Sequence, residues 1–273
     1  MRSVSLAVGV AMLAALARAQ APVVNAGGVL NSGSYSTQGV APGSLVSIFG
    51  TDLAAATAIG NTIPLSTTLS DVTSVTFNNI PAGLYFVSQL QVNAQLPFNV
   101  LAAGQDSGMV NIVVTRAGGT SAAQAVPVVQ ASPGIFTTSA NGIGQAFAYD
   151  NSTGALASPA GAPVGSFAVA PISISSGHAL IIACTGLGTV TPSLGNGVAA
   201  SDGVFRNTVL QPTVLIGGVQ AQFVYSVLSP QFVSEYQIGV VPASTTPIGN
   251  QVSLQIQIGG VTTTNMVTIA VAP

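Results

Sequence analysis

The chain has 273 residues, with Lys+Arg 4, Asp+Glu 6, one His, one Cys and no Trp; 48% of it is hydrophobic and only 4% charged, against roughly a quarter in ordinary soluble domains. No basic patch is available to neutralise phosphates, which excludes nucleic-acid binding, and one His with one Cys supplies neither an intrachain disulfide nor a structural zinc site. Gly, Ser, Thr, Asn and Gln fill the polar positions, so the low charge signals neither a membrane protein nor disorder, which goes with low hydrophobicity and high net charge.

The N-terminus reads as a secretion signal. Arg2 supplies the positive end, Val4 to Leu16 form an apolar run, and Ala17-Arg18-Ala19 gives a small-residue cleavage pattern, so residues 1–19 are expected to be removed before Gln20. The run is shorter than the roughly 20 residues that cross a bilayer, and no Cys follows it to carry a lipoprotein anchor. The product is expected outside the cell, at its surface or in the periplasm. Removal of Arg2 and Arg18 leaves Arg116 and Arg206 facing Asp52, Asp71, Asp106, Asp150, Asp202 and Glu235, so electrostatic steering of partners is weak.

Beyond the leader, period-two alternation dominates and no amphipathic helix is evident. Met109 to Thr115 reads as a strand. Thr213 to Ile216, the Gly217-Gly218 turn and Phe223 to Tyr225 read as a hairpin. Val252 to Ile258 places branched residues on one face and Ser253, Gln255 and Gln257 on the other, and Val261 to Val271 reads as a final strand. Short strands with frequent Gly and Pro punctuation predict an all-β sandwich.

The sequence also repeats. Pro42–Leu53 (PGSLVSIFGTDL) matches Ser176–Leu187 (SGHALIIACTGL); Asn79–Ser88 matches Gly218–Val227; Gln91–Pro97 (QVNAQLP) matches Gln237–Pro242 (QIGVVP); and Gly118–Val129 matches Gly259–Val271. The order is the same in both halves, at offsets of about 134 to 146 residues. The expected organisation is therefore a leader over 1–19 and two sandwich modules over 20–133 and 134–273, joined at the turn-forming stretch Ala131-Ser132-Pro133-Gly134. QIGVVP is one residue shorter than its partner, which requires a bulge or a loop adjustment.

Taken in order, VVNAGG, VAPGSLVSIFGTDLA, QLQVNAQLPFNV, SPGIFT, GQAFAYDNSTGALASPA, TGLGTVTP, PTVLIGGVQAQF and GNQVSLQIQIGGVTTTNMVTIAV resemble an uncharacterised C-terminal domain family of secreted proteins in Solibacter-type Acidobacteria. That family is similar to IPT/TIG immunoglobulin-like modules. The resemblance covers nearly the whole mature chain and implies an immunoglobulin-like fold, export and a surface, spacer or interaction role. It carries no catalytic residues to transfer. Its members often end larger proteins, whereas here the module pair is nearly the entire chain.

The candidate chemistry is thin. His178 and Cys184 lie on one predicted strand, hence about 20 Å apart, too far for a dyad; a strand-edge imidazole and a small buried thiol are expected. No G-x-S-x-G elbow occurs, the acids are singletons in predicted loops rather than a pair across a cleft, and any hydrolase site must centre on His178. Gly186-Leu187-Gly188 has Thr191 at the third glycine position of a dinucleotide fingerprint and sits between strands, so a tight turn is expected. Asp150-Asn151-Ser152-Thr153-Gly154 has one carboxylate where a calcium loop has several and reads as an Asx turn; its Asn151-Ser152-Thr153 sequon is expected to stay unmodified.

No catalytic, cofactor-binding or metal-binding residue is assigned and no cofactor is expected. Tyr85, Tyr225 and Tyr236 are expected in the core or at its rim. Tyr35 and Tyr149 are expected to be exposed and are the two ligand-binding candidates. The expected function is non-enzymatic: a surface-interaction or spacer protein with a protein or cell-surface partner, no nucleic acid and no membrane span. The alternative is a carbohydrate- or wall-binding accessory module. With no lysine to guard strand edges, edge association with itself or a partner is also expected.

Overall fold

A computed structural model describes residues 20–273; the expected leader, 1–19, lies outside the described residues. Every regular element among them is a β-strand, and among these described residues no helix is long and apolar enough to cross a membrane. Two sandwiches result. In the first, one sheet runs in the order Val23–Asn31, Leu45–Thr51, Gln91–Gln95, Leu84–Val87, Ala58–Ile59, and faces a second ordered Gln124–Val128, Gly108–Arg116, Val72–Phe77, Ile80–Pro81. In the second, a sheet ordered Gly134–Ile135, Leu180–Thr185, Tyr236–Val241, Gln222–Leu228, Asn207–Thr208, Val190–Thr191 faces one ordered Gly144–Gln145, Val267–Ala272, Gly249–Ile258, Thr213–Ile216, Val219–Gln220. Pairing between the described strands is antiparallel except where Gly144–Gln145 and Ile172–Ser173 run parallel to Val267–Ala272; the isolated bridges Val40–Val128 and Leu156–Val169 are also parallel. The fold is all-β and immunoglobulin-like.

Alternation builds each core. Val252, Leu254, Ile256 and Ile258 point inward while Ser253 and Gln257 face solvent, the period-two pattern of a half-buried strand. Val46, Ile48, Phe77, Leu84 and Ile112 centre the first core; Leu180, Ile182, Tyr236, Ile238 and Leu254 centre the second.

The sequence repeat is a repeat of register. Val46 opposes Ala94 and Ile48 opposes Val92; their counterparts Leu180 and Ile182 oppose Val240 and Ile238. Leu84–Val87 bulges at Tyr85, and Gln222–Leu228 bulges at the matching Val224. Ser121 Oγ accepts the Val114 N–H at 3.0 Å, and Thr263 Oγ1 accepts the Ile256 N–H at 3.2 Å. The missing residue of QIGVVP falls at the end of its strand, where no later side chain has to change face.

Three local expectations need correction. Thr213–Ile216 does turn at Gly217-Gly218, both with positive φ, but beyond that turn it pairs with Val219–Gln220 alone; Gln222–Leu228 leaves for the opposite sheet, where Tyr236–Val241 supplies a longer partner. The final segment is two strands, Val261–Thr262 and Val267–Ala272, because Thr263 and Asn265 turn inward to buried hydrogen bonds. Ala131–Gly134 is a buried connection rather than a turn, and Gly134 already pairs with Thr185.

That connection is buried because the sandwiches interlock through neutral hydrogen bonds. Asn31 Oδ1 accepts the N–H groups of Gly33 and Ser34, at 2.7 and 3.1 Å, while its Nδ2 donates to Ser132 O at 2.6 Å. Thr185 Oγ1 accepts the Leu45 N–H at 2.9 Å and donates to Ser234 O at 2.8 Å. Asn265 Nδ2 donates to Gly33 O and Ile135 O, Tyr85 Oη to Val233 O at 2.7 Å, and Gln95 Oε1 accepts the Gly197 N–H. Leu65, Ala199 and Val233 add a small apolar cluster. Gly186, at φ 83°, lies so close to the connection that a Cβ would strike Ser132 O, and so serves the crossing chains, not a nucleotide.

Replacing Asn31 with Ala would orphan two N–H groups and one C=O, each costing about 1–3 kcal/mol where buried. The expected loss in denaturant unfolding is about 2–4 kcal/mol after partial relaxation; a loss near zero would mean that the junction does not support the fold.

Candidate functional site

The titratable side chains are largely committed to internal contacts. His178 precedes the strand Leu180–Thr185, and its Nδ1 lies 2.8 Å from Asp150 Oδ2. Asp150 Oδ1 accepts the N–H groups of Ser152 and Thr153 at 2.7 and 3.2 Å, and Asn151 Oδ1 accepts the Ala179 N–H. This is the expected Asx turn, with the imidazole fastened to it. Cys184 is fully buried, with Sγ directed at Tyr236 O, and burial holds its thiol well above the usual range. Among the described residues, Asp150 is the one side chain hydrogen-bonded to the imidazole, so His178 and Cys184 are not brought together.

Both described arginines are paired. Arg116 Nε meets Asp71 Oδ2 at 2.8 Å. Arg206 grips both oxygens of Asp202, at 2.6 and 2.7 Å, and also donates to Val204 O. The Arg206 hydrogen bond, aided by the Val204 N–H, draws the Asp202 carboxyl down to about 2. The bidentate clasp folds residues 202–206 into a fixed loop. Arg206 goes inward, and the neighbouring Phe205 is left 77% exposed.

This loop walls a large concavity. The cleft, about 710 Å³, lies on the outer face of the sheet containing Tyr236–Val241 and is lined by Val204, Phe205, Tyr225, Val227, Pro230 and Gln237, among others. Cross-strand pairing explains the grouping. Val227 opposes Gln237, Tyr225 opposes Gly239, Gly239 opposes Ile181, and Ile181 opposes Tyr149, so these residues share one face. Gly239 leaves room for the Tyr225 ring, which occupies the place a Cβ would need. Glu235, bonded to the cleft residue Gln237, is half-buried; burial raises its carboxyl despite the hydrogen bond from Gln237 Nε2 at 3.3 Å. No charged side chain lines the cleft, so it suits an uncharged, partly apolar group.

The two tyrosine candidates separate, and neither is fully exposed. Tyr35, at φ 54°, donates its hydroxyl to Ala140 O at 3.0 Å and sets its ring 6.3 Å from that of Phe49; it belongs to the junction. Tyr149 is in the strand Ala148–Asp150, half-buried by its pairing with Ile181, on the face that carries Tyr225. Tyr85 and Tyr225 sit at rims and Tyr236 in the core. The cleft residues Phe205, Tyr225 and Gln237 were not legible as a site. The one signal was Val204-Phe205, an apolar pair inside the polar, Gly-containing segment 201–207.

No protein-family model matches the chain, and neither does any curated protein. Among solved structures it aligns over 96% of its length with the extracellular region of plexin A4, at 11% identity and a TM-score of 0.29. It aligns over 83% with the surface glycan-binding protein PbSGBP-B of Prevotella bryantii, at 9% and 0.25, and over 93% with the gamma-CGTase of an alkalophilic Bacillus clarkii, at 12% and 0.28. It spans 17%, 36% and 28% of those chains respectively. At such scores nothing about activity follows, and the fold rests on the strand order and register above.

The Asp150 clasp has a pH signature. Burial raises its carboxyl, but hydrogen bonds from His178 and from the Ser152 and Thr153 N–H groups outweigh this and hold it below the ordinary value. Its contribution is therefore fully present above the unfolded-state value and is lost as pH falls through the lower folded-state value. Asp150→Asn is expected to lower the unfolding midpoint at pH 6, with the gap from the parent protein closing as the pH falls below the ordinary carboxylate range. A gap that persists in acid would mean that the charge plays no part.

Proposed function

We propose that the protein is an exported, non-catalytic interaction protein of the Solibacter-type family named above, with a leader over 1–19 and modules over 20–133 and 134–273. Its partner is a protein at a cell surface, received by the cleft of the second sandwich. The observation that carries the reading is the contrast between the titratable groups and the cleft. His178, Asp150, Cys184, Arg116 and Arg206 are tied into the fold, whereas the concave surface left open carries Phe205, Tyr225 and Gln237 and no charge. Aromatic and amide groups on an open face suit recognition rather than proton transfer. The interlocked junction supports a second part of the proposal, a tandem that presents the cleft at a fixed distance from its neighbour.

A glycan-binding reading has one specific observation in its favour, the placement of Tyr149 and Tyr225 on the same face. Retention of the purified protein on intact cells, protease-shaved cells and insoluble polysaccharides separates the two. Retention on cells that is abolished by shaving, with none on polysaccharide, is expected. Competable retention on a polysaccharide that weakens at least tenfold with Tyr149→Ala would replace the protein partner with a glycan, and turnover abolished by His178→Ala would overturn the non-catalytic reading.

A further inference from the structure

The two sandwiches differ at one strand edge, and each serves as a control for the other. In the first, Leu84–Val87 has a neighbour on both sides: Gln91–Gln95 on one, and Ala58–Ile59 on the other, where Ala58 opposes Val87, Ile59 opposes Phe86 and the Gly60 N–H reaches Tyr85 O at 2.8 Å. In the second, the matching strand Gln222–Leu228 keeps its inner neighbour, but its outer ladder stops at Asn207 opposite Val227. Thr208 then meets Ser226 only through their hydroxyls, 3.0 Å apart. Val209 turns its N–H to Thr189 O.

Connection length is the cause. From Ile59 the first sandwich has until Val72 to reach the opposite sheet, whereas from Thr208 the second has only Val209, Leu210, Gln211 and Pro212 before Thr213. Residues that reach about 3.3–3.6 Å each must cross the roughly 10 Å between sheets, which leaves about one residue to run on along the edge, too few for a ladder. A gap of about 290 Å³ opens between Val209–Gln211 and Phe223–Ser226. Exposed Val209 and Val224 flank it, and it adjoins the Phe205–Gln237 cleft, with which it shares Asn207 and Tyr225. Neither concavity has a charged lining, and the edge sequence Gln222-Phe223-Val224-Tyr225 holds no Lys or Pro to block strand addition.

We propose that this edge receives an extended, uncharged segment of a partner protein as an added antiparallel strand, one apolar side chain of which enters the adjoining cleft. The inference deepens the interaction reading and rests on it. The occupant's chemistry is taken from the first sandwich, where the equivalent position holds the small-then-branched segment Ala58-Ile59-Gly60 of the chain itself. An open edge beside a side-chain pocket is the arrangement by which sheets recognise extended peptides, with main-chain bonds giving affinity and the pocket giving selectivity.

The probe is a synthetic peptide of residues 55–62 of this chain, titrated into the full-length protein and followed by backbone amide NMR shifts. Saturable binding with a Kd of ~1 mM or tighter is expected, with shifts confined to residues 205–209, 222–227 and 237. Val224→Lys, an edge guard, is expected to weaken it about tenfold or more, as is Val224→Pro; Val224 is passed over in the register with Tyr236–Val241, and proline is tolerated at such bulges. Unchanged unfolding midpoints in at least one variant show that the loss is local. No saturable binding, shifts elsewhere, or full affinity in a folded Val224 variant would overturn the proposal. So would concentration-dependent self-association through the same residues, which would make a second copy the occupant. Cell retention that survives Val224→Lys removes this site and leaves the interaction reading standing, whereas peptide binding without cell retention does the reverse.

Discussion

Asn31, Thr185 and Asn265 form a buried seam of neutral hydrogen bonds between two sandwiches that could otherwise have hung from a flexible linker. Thr185 and Asn265 each hold main-chain groups from both sides of the boundary, Thr185 at Leu45 and Ser234 and Asn265 at Gly33 and Ile135, while Asn31 ties the first sandwich to the connection at Ser132. A chain with 4% charged residues has few ion pairs with which to fix such an interface, and a buried ion pair would carry a heavy desolvation cost. Amides and hydroxyls avoid that cost provided each is satisfied, since an orphaned buried group is costly by itself. The same requirement accounts for the close backbone approaches at Gly134 and Gly186, where a side chain would displace Asn31 or the connection itself.

With the seam holding the modules, the difference between them lies at one strand edge. Both use one register and the same bulge, yet the shorter crossover after Thr208 leaves one strand edge of the second sandwich unpaired. The Arg206–Asp202 clasp next to it fixes a loop that holds Phe205 in solvent. An internal duplication thus yields one closed and one open copy of the same sheet without any change in fold. The proposed recognition is passive, resting on main-chain bonds and apolar contact rather than on long-range charge.

Much of the fold was legible because it depends on short-range pattern. Val252 to Ile258 declares its inward face in its own alternation, whereas the four collinear matches mark a repeat without saying which strands pair or in what register. The hairpin after Thr213 was half legible. Gly217-Gly218 marks the turn, but nothing local says that Gln222 will abandon that sheet for Tyr236–Val241, because sheet choice depends on which partner offers the longer ladder. The seam was hidden for a related reason. Asn31 and Asn265 look like ordinary turn residues until segments more than a hundred positions away are brought against them, and Tyr35 resembles an exposed loop aromatic until Ala140 accepts its hydroxyl. The cleft was obscured because Tyr225, Gln237 and Phe205 come from three segments, and only the Val204-Phe205 pair breaks the local polarity.

If the seam joins the sandwiches as described, they cannot unfold separately without costing Thr185 and Asn265 their partners across the boundary. Differential scanning calorimetry of the intact protein tests this most directly. One transition is predicted, with calorimetric and van't Hoff enthalpies in a ratio of about 1. Two resolved transitions, or a ratio near about 2, would mean that the sandwiches fold independently and that the seam is only a contact between them.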